Sequence, residues 1–473
     1  MTIPSRHLDA TVDPGDGLPT PPGKRAPCGW SIVGIPSTGV KPVALRWSHQ
    51  ATGEIPSRLR VTVAIDQRGD SQITVTLARS GRRIGCFDVR NASVFQPYEI
   101  PLLPDDATAM LSEGVALQLT RNSEPVWIFT GGDGLDVVHL PHALVPGTRD
   151  AVNEFHARFA SLASVQQFGW MEGCVLDGLL DLAALPQHAT ARSVAQRHLA
   201  LFIRNNQLIY EGPKSDPCDG HLDTIEGTLP FAAFAQLYPK HPLLDMALAW
   251  WRKETDAEGA VIDWISTTSE GSYTLAYPMA IIALQRGDAE LERMALTQLR
   301  LRQQRLFDGT TFWRMSKPTG VMGNRNWARG IAWHLLGGVR TLSVLRGRPG
   351  VDALIPGFAA LADWVQKFQR PDGQWSVFVD EPALSQDTAG SAGIAAALAI
   401  GANHGWFSDA ARTSAQRCLA SLSGHLTADG LLGGVSASNK AGEELQRSSY
   451  RVIFPMGMGL MAQLIAALAS KSE

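Results

Sequence analysis

The sequence predicts an (α/α)6 barrel preceded by a small all-β sandwich, and three observations predict it. Short runs of alternating apolar residues fill the chain up to about residue 145, whereas after about residue 148 apolar residues recur at helical spacing. The helical part repeats one unit, in which a polar or aromatic cluster opens a small-residue helix and a more amphipathic helix follows. Six such clusters occur, roughly 50–60 residues apart, as six helical hairpins in a ring require.

Residues 1–26 read as a disordered lead, with Pro-Gly pairs and no periodicity. The sandwich is expected over 27–145. Its strand runs are Arg58–Ile65, Gln72–Leu77, Ile84–Val89, Tyr98–Leu103, Val115–Leu119 and Val126–Phe129, with turn residues between them. Residues 146–473 form the barrel. Its clusters are Phe168–Glu172, His221–Glu226, Ser269–Tyr273, Asn326–Arg329, Gln386–Gly390 and Arg447–Tyr450. The Ala-rich Ala389–Gly401 suits a crowded inner ring, and Leu291–Leu306 and Ala359–Phe368, charged on one face, suit an outer one. Inner helices of such a ring start at one mouth, so the six clusters should line one pocket. Helix capping explains Ser, Asp and Thr there, but not Trp, Arg and Tyr.

The formal net charge of -3 argues against a nucleic-acid binder. Five scattered cysteines without a CxxC pair fit free thiols in a reducing compartment. With no apolar leader and no long apolar run, the expectation is a cytoplasmic protein without a membrane segment. No zinc-ligand spacing, phosphate loop, dinucleotide fingerprint or GxSxG elbow is present, so neither metal nor organic cofactor is expected.

Asp223 and Glu270 open neighbouring inner helices, and two carboxylates facing each other across a pocket can do acid/base work on a sugar. Asp219 and Glu226 flank Asp223 and compete for its role, while Glu172 and Asp387 are further pocket acids. Trp327 and Arg329 pair a stacking surface with a planar fork that fits a carboxylate, which points to an acidic sugar. Trp170, Trp333, Tyr273, His221 and Tyr450 complete the expected substrate contacts. The partner is therefore an oligosaccharide, and homo-oligomerisation is left open.

These segments resemble glycoside hydrolase family 105, the unsaturated rhamnogalacturonyl hydrolases, and the related family 88 unsaturated glucuronyl hydrolases. The resemblance covers about residues 165–470. Trp327-Ala-Arg-Gly-Ile-Ala-Trp333 resembles the family's WARGNGW, His221–Gly227 its DDINPG-like opening and Glu270-Gly-Ser-Tyr273 its DGLY. Arg286-Gly-Asp288, Gln386–Ala392 and Asn403-His-Gly-Trp406 resemble its TGD, ETSATA-like and NRGW segments. The resemblance implies an (α/α)6 barrel acting on an unsaturated uronic acid at a non-reducing end. It also implies a mechanism: an acid protonates C4 of the C4=C5 vinyl ether, water adds at C5, and the hemiketal opens and expels the aglycone. Glu270 would donate the proton beside Asp223, Arg329 would hold the uronate, and Trp327 and Trp333 would stack.

The chain also departs from the pattern. Glu270 replaces the family's Asp, Ile331 its Asn, Asp387-Thr-Ala389 its ETS, and Phe312-Trp-Arg-Met315 takes the place of its LYRH-like stretch. Such changes leave three alternatives: a conventional glucuronidase, a sugar epimerase, or a sugar-binding barrel without catalysis. The sandwich is left as a carbohydrate-binding module, an oligomer contact or a lid.

Overall fold

In the computed structural model, which describes residues 2–48, 55–122 and 124–470, the N-terminal domain is built from short strands. They are β1 (Arg6–Asp9), β2 (Thr11–Asp13), β3 (Ser31–Ile35), β4 (Val43–Arg46), β5 (Arg58–Thr62), β6 (Asp70–Leu77), β7 (Arg83–Arg90), β8 (Pro97–Pro101), β9 (Val115–Arg121), β10 (Val126–Gly131) and β11 (His142–Val145). Along β6 the buried residues are Ser71, Ile73, Val75 and Leu77, the period of a strand with one face on a core. One antiparallel sheet has the order β2-β4-β9-β6-β7 and a second β1-β11-β5-β8. The pair β10-β3 adjoins β5 through a bridge between Val63 and Ile128.

Two expectations fail here. Residues 1–26 are not a disordered lead, because β1 pairs with β11 and β2 with β4. These strands are held by backbone bonds at sheet edges, which demand little apolar periodicity. The domain is also not purely β, since helix α1 (Pro104–Glu113) precedes β9, with Pro104 at its start and Asp105 and Asp106 in its first turn.

The remaining helices are α2 (Ala151–Phe159), α3 (Trp170–Ala183), α4 (Ala191–Leu201), α5 (Pro230–Leu237), α6 (Leu243–Lys253), α7 (Tyr277–Arg286), α8 (Ala289–Leu306), α9 (Ala328–Val344), α10 (Ile355–Gln366), α11 (Thr388–Asn403), α12 (Asp409–Leu422), α13 (Glu443–Arg447) and α14 (Met456–Ala469). Neighbouring contacts run α3-α5-α7-α9-α11-α14 and return to α3, a closed inner ring. Helices α4, α6, α8, α10 and α12 lie outside it. Glycines let the ring close: a Cβ on Gly459 would fall 2.3 Å from the Cys174 carbonyl oxygen, and one on Gly178 would fall 2.6 Å from that of Gly459. This half is not all-α. Short strands β12 (Ile203–Arg204), β13 (Gln207–Leu208), β14 (Thr267–Thr268), β15 (Trp313–Ser316), β16 (Met322–Arg325), β17 (Val435–Ser436) and β18 (Arg451–Val452) pair in loops between the helices. Among the described residues, no helix is long and apolar enough to cross a membrane.

The two halves meet over a charged seam. Arg60 of β5, wholly buried, forks onto Asp429 of the barrel with bonds of 2.7 and 3.1 Å. Glu99 Oε2 accepts from Arg60 Nη2 at 2.7 Å and from Nε at 3.2 Å, and His7 Nε2 lies 2.9 Å from Asp429. Burial pushes the Asp429 carboxyl up, but Arg60 and His7 outweigh it and hold the group well below the ordinary carboxylate range.

Replacing Asp429 by Ala leaves Arg60 buried beside Glu99 alone, and the expected loss is about 3–5 kcal/mol in urea unfolding. A depressed carboxyl stabilises the fold fully above its unfolded value of about 4 and loses that contribution as pH falls through the folded value. The gap between wild type and Asp429→Asn should therefore be flat above about pH 5 and shrink in acid. A gap that grows in acid contradicts this account.

Candidate active site

At the mouth where the inner helices begin lies a cavity open to solvent. Its floor is aromatic. Trp170, first residue of α3, meets Trp333 of α9 edge-on at 5.4 Å between ring centres, and Tyr273 stacks on Trp333 at 6.2 Å. Below them the Tyr273 hydroxyl donates to Asp177 Oδ2 at 2.5 Å. Burial raises the Asp177 carboxyl to about 7.

Glu270 stands between β14 and a π-helical turn, Ser272–Ala276, that leads into α7. Such turns are rare and frequent at functional sites. The segment is anchored from behind by Arg302 of α8, which is fully buried and meets carbonyls where a carboxylate would be usual. Arg302 donates to the carbonyls of Thr268 (2.8 Å) and Val261 (2.9 Å) and to Gln298 Oε1 (2.9 Å), so it secures both ends of the loop before Glu270. Only glycine fits against it, because a Cβ on Gly271 would lie 2.1 Å from Arg302 Nη2.

Pairing of β14 with β15 sets Arg314 beside Glu270. Arg314 Nε donates to Glu270 Oε1 at 2.5 Å, and Ser269 Oγ donates to Oε2 at 3.2 Å. Two further acids share this field. Glu226 lies in the single-turn helix Ile225–Thr228, whose start is capped by Thr224. Burial, and then the charges of Asp263 and Glu270, raise the Glu226 carboxyl to about 7. Asp263, in a tight turn closed by Ser266, is pushed up to about 6 by burial and by Glu270, against the pull of Arg314. The cavity thus holds one ion-paired carboxylate and one carboxyl that carries its proton near neutral pH.

The cavity is lined by Asp223, Glu270, Tyr273, Trp170, Trp327, Arg329 and Trp333 among the expected residues. Some of them do other work than expected. Arg329 is 1% exposed, and its Nη2 meets the Ser436 and Ala437 carbonyls at 2.9 and 2.5 Å while Nε lies 2.9 Å from Asp387 Oδ2. Its charge is spent on the protein, which leaves it poorly placed to hold a uronate. The Trp327 ring is engaged by two guanidinium groups, at 5.9 Å (Arg314) and 5.1 Å (Arg329), and is no open stacking platform.

Three expected contacts lie elsewhere. Asp387 is fully buried behind the wall as the Arg329 partner and accepts the Ser436 N–H at 3.0 Å. His221 is exposed outside the cavity, against the Asp219 carbonyl. Tyr450 sits in the seam, where its hydroxyl donates to the Asp88 carbonyl (2.7 Å) under the Arg90 guanidinium. Glu172 is likewise no pocket acid, being buried with His198 at 2.8 Å. Sequence reasoning missed Asp263 and Arg314, as well as Asp66, Arg68 and Ser93 of the N-terminal domain, the last three of which line the cavity. Among the described residues, no group of three or more His, Cys, Asp or Glu side chains could hold a metal ion.

A ring of paired helices with carboxylates at its aromatic mouth is an arrangement that suits acid/base work on a sugar. The family model of Glycosyl Hydrolase Family 88 matches residues 290–468. The match covers less than half of the chain, from α8 to α14, and it supports an enzyme of the glycoside hydrolase type. A family 105 glycoside hydrolase of C. acetobutylicum aligns at 16% identity with a TM-score of 0.56, over 67% of this chain and 98% of its own. A family 88 glycosyl hydrolase from Bacteroides vulgatus aligns at 15% and 0.53, over 67% and 96%. The unsaturated glucuronyl hydrolase of Bacillus sp. GL1 aligns at 16% and 0.50, over 67% and 94%. At these identities the likeness is one of fold. No curated protein matches the sequence.

Gly271→Ala should force Arg302 off its carbonyls and shift the Glu270 segment. The expected cost is about 1–3 kcal/mol in thermal or urea unfolding, with a matching drop in activity. Unchanged stability would show that Arg302 has another place to go.

Proposed function

We propose that the protein removes a uronic acid unsaturated at C4=C5 from the non-reducing end of an oligosaccharide. The observation that carries this reading is Glu226, a carboxyl poised at about 7 in a cavity shared with the Glu270–Arg314 ion pair. Protonating a vinyl ether carbon needs an acid that is still protonated near neutral pH, and the most effective one has a value near the working pH. Glu270, which the family pattern marks as the donor, is the partner of an arginine. We therefore assign proton donation to Glu226.

In this scheme the Glu226 proton goes to C4, and positive charge develops at C5 and the ring oxygen. The adjoining carboxylates stabilise that charge. Water adds its oxygen at C5 and gives up a proton to Glu270 or Asp223. The resulting hemiketal opens by breaking C5–O5, which leaves a ketone at C5 and a hemiacetal at C1; the hemiacetal then collapses to an aldehyde as its hydroxyl proton passes to the aglycone oxygen, and the aglycone leaves as its alcohol. Trp170, at the aromatic floor, supplies the sugar-facing ring that Trp327 does not.

Lyase-generated oligosaccharides, followed by the ultraviolet absorbance of the unsaturated uronate, test the scheme. Wild type should bleach the chromophore, with activity falling as pH rises through about 7. Glu226→Gln should lower kcat by about 10²–10⁴-fold and abolish that alkaline limb. Release of the aryl group from a saturated aryl glucuronide, with the chromophore untouched, would assign conventional two-carboxylate hydrolysis instead.

The same titration bears on stability. A carboxyl raised in the folded state makes folding less favourable as pH climbs from its unfolded value of about 4 to its folded value. Glu226→Gln should thus stabilise the protein at pH 8 relative to wild type and have little effect at pH 4, in urea unfolding at both values. A variant less stable at pH 8 would count against a raised Glu226.

A further inference from the structure

One part of the cavity wall is made jointly by the two domains. Just beyond β5 the chain turns out from the N-terminal domain and carries Asp66 and Arg68 to the cavity, where they meet Lys440 of the barrel loop. Asp66 binds both cations: Lys440 Nζ lies 2.5 Å from Oδ2 and Arg68 Nε 2.5 Å from Oδ1. Asp66 is itself placed by its N–H, which donates to Ser215 Oγ at 3.0 Å. One carboxylate between two cations leaves a net positive charge facing the acid-bearing side.

The cations of this cavity differ in what they have left to offer. Arg314 is bound to Glu270, and Arg329 is buried among carbonyls and Asp387. The Lys440 ammonium is buried between Asp66 and the Ala92 carbonyl at 2.8 Å. Arg68 keeps 42% of its side chain exposed. Its Nε and Nη2 are fixed by Asp66 and by the Pro213 carbonyl at 3.1 Å, and among the described residues Nη1 meets no acceptor. A guanidinium held by two of its nitrogens with a third free is a preorganised anion receptor.

We infer that the N-terminal domain completes the substrate site, with Arg68 as the cation that binds an anionic group of the sugar, its uronyl carboxylate or a sulfate. This rests on the acidic-sugar reading above and transfers to Arg68 the role that the family pattern gives to Arg329. It also couples binding to chemistry. The Arg68 charge favours the ionised form of Glu226, so a bound anion that neutralises Arg68 helps Glu226 to keep its proton.

The test uses the full-length protein, a lyase-generated unsaturated uronyl disaccharide, its carboxyl methyl ester and its O-sulfated form. Binding is followed by tryptophan fluorescence and turnover by chromophore loss. Arg68→Ala should raise KM for the acid at least tenfold with kcat changed by less than threefold, and should reduce the preference for acid over ester. Arg68→Lys should recover part of the loss, and Arg83→Ala, on an exposed strand position, should match wild type. The alkaline limb of kcat/KM in Arg68→Ala should move to higher pH, a shift that mere structural damage would not produce. A penalty confined to the sulfated disaccharide would place the sulfate, and not the carboxylate, on Arg68. Wild-type binding of the acid without turnover would refute the hydrolase reading and leave this one standing if Arg68→Ala weakens that binding. Equal losses on acid and ester, or a KM in Arg68→Ala unchanged for both the acid and its sulfated form, would overturn it.

Discussion

The contact on which the rest of the molecule depends is the Arg60–Asp429 fork. It joins a strand of one domain to a loop of the other by direct bonds, and each partner would be costly to bury alone. Ion pairs of this kind contribute little net stability, but they tolerate few alternative arrangements. The fork therefore fixes the angle at which the sandwich sits on the barrel. Because β5 carries Arg60 and runs on to Asp66 and Arg68, that angle also decides where a wall of the active site stands.

Within the cavity, charge is deliberately unbalanced. Of Glu226, Asp263 and Glu270, only Glu270 has, among the described residues, a cation in direct contact, Arg314, so the three cannot all ionise at modest cost. Burial first, and the neighbouring Asp263 and Glu270 after it, favour a proton on Glu226 near neutral pH. The arrangement resists relaxation because Arg302 and the π-helical turn hold the Glu270 backbone from behind. Local unfavourable electrostatics sustained by a rigid surround is what an acid catalyst requires.

Much of the barrel was legible because each inner helix opens with residues that a helix cap does not need, Trp170, Tyr273 and Trp327 among them. The six openings fall at or just before α3, α5, α7, α9, α11 and α14. Strands β1 to β4 and β11 were illegible for a different reason. They are short and are held by pairing with partners distant in sequence, such as β1 with β11. The site was half legible. Glu270 and Asp223 stood out by alignment of the repeat, and Glu226 only as a neighbour competing for a role. Arg314 was hidden inside the stretch noted for lacking the family's His. Arg314 falls on the Arg of that LYRH-like stretch, a signal that could have singled it out. Arg68 had no signal, since nothing in a strand-rich domain announces that one of its loops reaches a barrel mouth 150 residues further on.

The aromatic floor and the two-domain wall have one more consequence. Trp170, Trp333 and Tyr273 form a floor to the cavity, and the Asp66 clasp with Lys440 closes one flank. Under the function proposed above, in which one terminal residue enters at a time, the number of free chain ends, more than the mass of polysaccharide, would set how fast material is consumed.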